Sequence, residues 1–194
     1  MHESKKAFEL DTKRFNIVAI GRLVSVKGYE NLLKSIAILV KQKHFHHIQL
    51  RIIGTGELFE LLSKLINELG LQNNIELCGF VENPYPVILN SDLFVMTSFS
   101  EGLPTALCEA MILGKPVMVT NVSGCSEVVG DGKYGAICEP YVDSIALKLE
   151  QIIQDDDYRS ELAKNSIERS KIFSDEQTMK KYYNLFESDL KETN

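Results

Sequence analysis

The chain has 194 residues, 44% apolar and 25% charged, and its 27 acidic against 21 basic side chains give a net charge of −6. This size and composition fit one ordinary globular domain and exclude collagen-like, low-complexity and disulfide-scaffold chains. The acidic balance also excludes a general nucleic-acid binder, which needs basic charge against phosphates, so any anion site must be local.

Phe15 to Gly21 (FNIVAIG) is a short apolar run ending in glycine and predicts a buried strand. From Val26 to Lys41, Tyr29, Leu32, Leu33, Ile36, Ala37 and Val40 keep helical spacing and predict an amphipathic helix. Ile48 to Gly54 predicts a second strand, and Leu58 to Leu69 a second helix closed by Gly70. A third strand is expected at Asn74 to Cys78, a short helix at Tyr85 to Asn90 and a fourth strand at Asp92 to Met96. Thr105 to Leu113 reads as a helix stopped by Gly114, and Lys115 to Thr120 as a fifth strand. A short helix at Ser126 to Val129 and a last strand at Tyr134 to Cys138 follow. From Val142 the pattern is helical, broken near Asp155 to Tyr158 and Phe173 to Ser174, where Ser174 and Gln177 have capping-box spacing.

Strands alternating with helices, without hairpin turns, imply a parallel sheet covered on both faces. The expected fold class is α/β, a doubly wound Rossmann-like sheet of about six strands with a helical carboxy-terminal tail. Ligands of such sheets bind outside the carboxyl ends of the strands, which directs attention to the loops there. No apolar stretch approaches the roughly 18 residues of a membrane span, and residues 1–16 hold no apolar core of a secretory signal. Cys78, Cys108, Cys125 and Cys138 form no C-x-x-C pair and read as small buried hydrophobes in a reducing compartment.

Two patterns are decoys. Gly130, Gly132 and Gly135 spell G-x-G-x-x-G, but a helix precedes and a strand follows, the reverse of a dinucleotide fingerprint, so the stretch reads as a turn. His44, His46 and His47 sit in a polar connection with no carboxylate in phase and read as solvated loop residues.

Two loops carry chemistry. The first strand's exit, Gly21-Arg22-Leu23-Val24-Ser25-Val26-Lys27-Gly28, brings two cations to the carboxyl edge of the sheet beside a helix start. Arg22 can grip phosphate oxygens in a fork while Lys27 acts as a point charge. Two solvated surface cations are the equally weighted alternative. The fourth strand's exit reads Ser98-Phe99-Ser100-Glu101-Gly102-Leu103-Pro104-Thr105 and runs into a helix carrying Glu109. Gly102 allows close backbone approach to a ligand, and the N–H groups from Gly102 to Thr105 offer a second anion seat. Glu109, about 7.5 Å along that helix, has the reach to grip a ribose behind bound phosphates.

Residues 15–140 resemble the carboxy-terminal, donor-binding domain of retaining glycosyltransferases of the GT-B architecture (group 1, family 4), in particular those that build bacterial surface polysaccharides. The matching pieces are GRLVSVKG (21–28), IIGTGE (52–57), Glu101 and Glu109 within SEGLPTALCEAMILGKPVMVT (100–120), SGCSEVV (123–129) and GKYG (132–135). The resemblance implies transfer of a sugar from a nucleoside-diphosphate donor, with a UDP-sugar favoured. It implies no cofactor and no metal. Arg22 and Lys27 match the pair that holds the diphosphate, and Glu101 the glutamate on the donor sugar; these three are the candidate catalytic residues. Gly21, Gly102, Leu103, Pro104 and Thr105 match the backbone around sugar and phosphate, Glu109 the ribose-binding glutamate, and Gly79, Phe80 and Val81 the base-binding edge. Ser123 and Cys125 depart from the family's glycine-rich turn there.

The same resemblance divides the chain into a linker-like lead-in (1–14), the nucleotide-sugar-binding domain (15–173) and a last helix (174–194) expected to cross to an amino-terminal domain. That missing domain would supply the acceptor pocket for a glycan or lipid-linked glycan, so this chain alone is expected to be inactive. The expected location is cytoplasmic, with peripheral membrane association through the missing domain. Two other readings stay open: a non-catalytic nucleotide-binding module, and half of a UDP-sugar epimerase.

Overall fold

The computed structural model describes residues 11–173; most of the lead-in and the whole of the expected last helix lie outside them. Six strands form one parallel sheet in the order β3-β2-β1-β4-β5-β6. They are β1 (Phe15–Ile20), β2 (Ile48–Ile53), β3 (Ile75–Gly79), β4 (Leu93–Met96), β5 (Val117–Thr120) and β6 (Ala136–Cys138). The helices between and after them are α1 (Tyr29–Gln42), α2 (Phe59–Glu68), α3 (Tyr85–Asn90), α4 (Thr105–Ile112), α5 (Ser123–Val128), α6 (Val142–Gln154) and α7 (Asp156–Phe173).

The central strands β1, β4 and β5 read as largely apolar runs because both of their faces are covered. In β1, Ile17 and Ala19 join one buried cluster with α1, α2 and α6, while Val18 joins the opposite cluster with α3, α4 and α5. In β4, Leu93 and Val95 divide from Phe94 and Met96 in the same way. Ile17, Val18, Leu93 and Phe94 are at most 1% exposed, and burying each such side chain contributes about 1.5–3 kcal/mol. Helix α4 is apolar almost all round since it is pressed between the sheet and α7. Helix α7 buries Leu162, Ser166 and Ser170, whose four-residue spacing lines up one face.

Two expected helix starts move by three residues, and β5 and β6 each begin two residues later than expected. The first helix begins at Tyr29 rather than Val26: Ser25–Lys27 is a separate 3-10 turn, ended by Gly28 at φ 65°. Helix α5 begins at Ser123, three residues before its expected start. The glycine-rich segment after α5 is a turn before β6, with positive φ at Gly130, Asp131 and Gly132. Among the described residues no helix is long and apolar enough to cross a membrane.

Candidate functional site

The strand order reverses between β1 and β4, and by the general rule for such sheets the ligand crevice lies at that reversal, among the loops leaving the strands' carboxyl ends. Those loops are residues 21–28 and 97–104, the two that the sequence singles out.

They are tied together through their backbones. Phe99 N–H donates to Val26 O at 2.7 Å, and the Thr97 hydroxyl lies 3.3 Å from Lys27 O and 3.4 Å from Gly28 O. Gly28 allows this approach, since a Cβ there would sit 2.1 Å from Thr97 O. On the far side, the Thr120 hydroxyl donates to Ser98 O at 2.5 Å. Helix α5 presses its backbone on the same loop: a Cβ on Gly124 would lie 2.4 Å from Glu101 O and 2.6 Å from Gly102 O. This gives the departing turn its role, which is to brace the loop that carries Glu101. Arg169 on α7 braces α5 in turn, its Nε donating to Val128 O at 2.8 Å and Nη2 to Glu127 O at 2.9 Å.

Glu101 is fixed in place. Its Oε1 accepts from Lys27 Nζ at 2.6 Å and from Ser98 Oγ at 2.5 Å. The two charged side chains are 18% and 9% exposed, which makes this a nearly buried ion pair. Arg22 is the opposite case: its side chain is exposed and has no partner among the described residues. The structure therefore separates the two expected phosphate cations into one held by Glu101 and one uncommitted.

Glu109 lies in the fifth position of α4, half-buried, with the Tyr85 hydroxyl of α3 3.5 Å from its Oε1. Burial raises its carboxyl above the ordinary carboxylate range, and the tyrosine contact partly offsets this. Gly79 O accepts from Gly54 N–H at 2.8 Å, Phe80 is 78% exposed and Val81 is half-buried. Leu103 is exposed and Pro104 buried at the start of α4. The Thr105 N–H is already donated to Leu103 O at 3.0 Å, which removes it from the expected anion seat.

Ser98, Tyr85, Gly124 and Arg169 belong to the site or its support without having been singled out from sequence. For Tyr85, Gly124 and Arg169 the signal is purely spatial, since each acts on a residue from another loop or element, whereas Ser98 acts on Glu101 three residues along its own loop. Burial pushes the Cys108 thiol up to about 11 and those of Cys125 and Cys138 to about 12. Cys125 and Cys138 are buried as the sequence reading has it, whereas Cys78 and Cys108 are only half-buried. Among the described residues no three His, Cys, Asp or Glu side chains gather to hold a metal ion.

The family model described as Glycosyl transferases group 1 matches residues 1–169. An uncharacterized glycosyltransferase of Methanocaldococcus jannaschii is 30% identical over 91% of this chain and 50% of its own length. The poly(ribitol-phosphate) alpha-N-acetylglucosaminyltransferase of Staphylococcus aureus is 28% identical over 97% of this chain and 38% of its own. A crystal structure of an S. aureus TarM mutant in complex with Fondaparinux, alpha-GlcNAc-glycerol and UDP superposes with a TM-score of 0.79 at 26% identity. It covers 95% of this chain, which spans 37% of that protein. The carboxy-terminal domain of a group 1 family glycosyl transferase from Francisella tularensis shares the fold, with a TM-score of 0.72 at 23% identity, over 81% of this chain and 85% of that domain. The chain spans half or less of the length of the curated relatives named here. By the extent of the family match, this chain belongs to the group 1 glycosyl transferases, with the Rossmann-like fold of their carboxy-terminal domain.

Proposed function

We propose that this chain binds a nucleoside-diphosphate sugar as the donor half of a retaining glycosyltransferase in bacterial surface-polysaccharide assembly. The observation that carries the reading is the gathering of Arg22, Lys27 and Glu101 on the two loops of the β1–β4 crevice, with Glu109 behind them. Arg22 grips the diphosphate with its open fork, and Lys27 shares its charge between Glu101 and a phosphate oxygen. The second carboxylate oxygen of Glu101, which has no partner among the described residues, accepts from a donor-sugar hydroxyl. Gly21, Gly102, Leu103 and Pro104 shape the bed beneath sugar and phosphates. Glu109 takes the ribose diol, and Gly79, Phe80 and Val81 meet the base. Fixed cations aimed at the departing diphosphate stabilise its developing charge, so the transfer is proposed to need neither a divalent ion nor a cofactor.

The relatives favour UDP as the nucleotide, since the TarM complex contains it. The acceptor is a glycan or lipid-linked glycan, held by an amino-terminal domain at the inner face of the membrane. A thermal-shift panel of UDP, GDP, ADP and their sugars tests the reading. A nucleotide at 100 times its dissociation constant should stabilise the chain by about 2.7 kcal/mol. No shift with any of them would refute donor binding.

Arg22→Ala is expected to leave stability within about 0.5 kcal/mol, as for other exposed substitutions. It should weaken UDP binding by about 1.5–3 kcal/mol, the scale of a charged hydrogen bond. Calorimetry showing unchanged UDP affinity would remove Arg22 from the site. Glu109→Gln should act in opposite directions on stability and binding. A carboxyl whose pKa is raised by folding favours the fold most below its unfolded value, and that contribution is lost as pH rises through the folded one. Where Glu109 is ionised its charge is therefore a cost, and the neutral amide should raise Tm there while weakening UDP far more than pyrophosphate. Equal losses for both ligands would make Glu109 a structural residue.

A further inference from the structure

Tyr29 opens α1 directly after the Lys27–Gly28 turn, and its ring belongs to the buried cluster beneath the sheet's α1 face. By spacing it is one more apolar position of an amphipathic helix. Its tip does not end in the core. The hydroxyl reaches the carboxyl end of β1, where a Cβ on Gly21 would lie 3.0 Å from it and 3.4 Å from Cε of Lys27. The ring is buried, the residue being only 5% exposed, and its hydroxyl has no hydrogen-bond partner among the described residues. The hydroxyl is not among the fully buried unpaired polar atoms, so its open side faces the end of the sheet where a ligand can reach it. Phenylalanine would fill the same ring space but offer no polar group there.

We propose that the Tyr29 hydroxyl is a further binding group of the donor site, donating a hydrogen bond to a phosphate oxygen of the nucleoside diphosphate. The inference rests on the donor-binding reading above and adds to it a residue from beneath the loops. Its neighbours decide the chemistry. Lys27 beside it offers only donors, and Glu101 does not pair with it, its Oε1 accepting from Lys27 and Ser98 instead. An anionic oxygen arriving between Lys27 and Gly21 supplies the acceptor that the hydroxyl lacks. Burial and the Glu101 charge raise the phenol above its ordinary range, which keeps the proton in place for donation.

The test is Tyr29→Phe, compared with the wild-type chain by calorimetry against UDP, inorganic pyrophosphate and uridine, with Tm measured without ligand. The expected result is a loss of about tenfold for UDP and pyrophosphate, the scale of one hydrogen bond to a charged group. Uridine affinity should stay unchanged and the ligand-free Tm unchanged or raised. UDP and pyrophosphate affinities within twofold of wild type overturn the assignment. So does an equal loss for uridine, or a lowered ligand-free Tm, since either makes the hydroxyl structural. A wild-type chain that binds pyrophosphate but not UDP defeats the donor reading, and Tyr29 is then decided by pyrophosphate alone. A wild-type chain that binds neither defeats both.

Discussion

Gly28→Ala is expected to cost about 3–4 kcal/mol of folding stability, near the upper end of single substitutions. Two effects add. The residue has φ 65°, a left-handed conformation that costs an L side chain about 1–2 kcal/mol. Its new methyl would also sit 2.1 Å from Thr97 O, a backbone atom that moves only if the two loops part. Their separation would break the Phe99 to Val26 hydrogen bond and both Thr97 hydroxyl contacts. Gly70→Ala separates the two effects, because Gly70 has φ 62° but nothing within 4 Å of a Cβ. It should lose only the conformational part, about 1–2 kcal/mol. Urea unfolding of both variants checks this, with m-values unchanged if the native state keeps its compactness. Equal losses for the two would mean that loop contact contributes nothing. UDP binding should fall in the Gly28 variant and persist in the Gly70 variant, since only the first lies at the crevice.

The same glycine explains what the sequence made legible. The central strands β1, β4 and β5 were readable because they are buried on both faces, so their apolar runs needed no tertiary knowledge. Tyr85 to Asn90 came out with its observed bounds. The start of α1 did not, since Val26 and Tyr29 have helical spacing while Gly28 turns the chain between them. The start of α5 was hidden for a related reason: Gly124 weakens the helical pattern, and its need for a bare Cα comes from the loop pressed against it. At the site, Arg22, Lys27, Glu101 and Glu109 stood out by residue type at strand exits. What they do to one another did not, because Lys27 and Glu101 are 74 residues apart and no periodicity links them. Tyr29 was hidden most thoroughly, since its ring obeys the core pattern and only its hydroxyl departs from it.

Lys27→Met is expected to destabilise the chain by about 3 kcal/mol, the lower end for breaking a buried ion pair. The Glu101 side chain is 9% exposed, and without Lys27 its charge keeps only the Ser98 hydroxyl as a partner. The cost comes from stranding that carboxylate, more than from losing the attraction itself. Glu101→Gln in the same chain should therefore restore much of the loss, because a neutral amide needs no counter-ion. Of the two single changes, Lys27→Met should be the more damaging to stability, since a lysine left alone at 18% exposure can swing its flexible stem toward water. Chemical denaturation of the wild type, both single variants and the double variant closes the cycle, with a coupling of about 1–3 kcal/mol expected for groups in contact. Additive losses would mean that the two side chains do not act on each other. Binding should follow a different order: the double variant recovers its fold but not its affinity for UDP, because the charge that Lys27 presents to a phosphate is gone in both. A double variant that regains wild-type UDP affinity would limit Lys27 to holding Glu101.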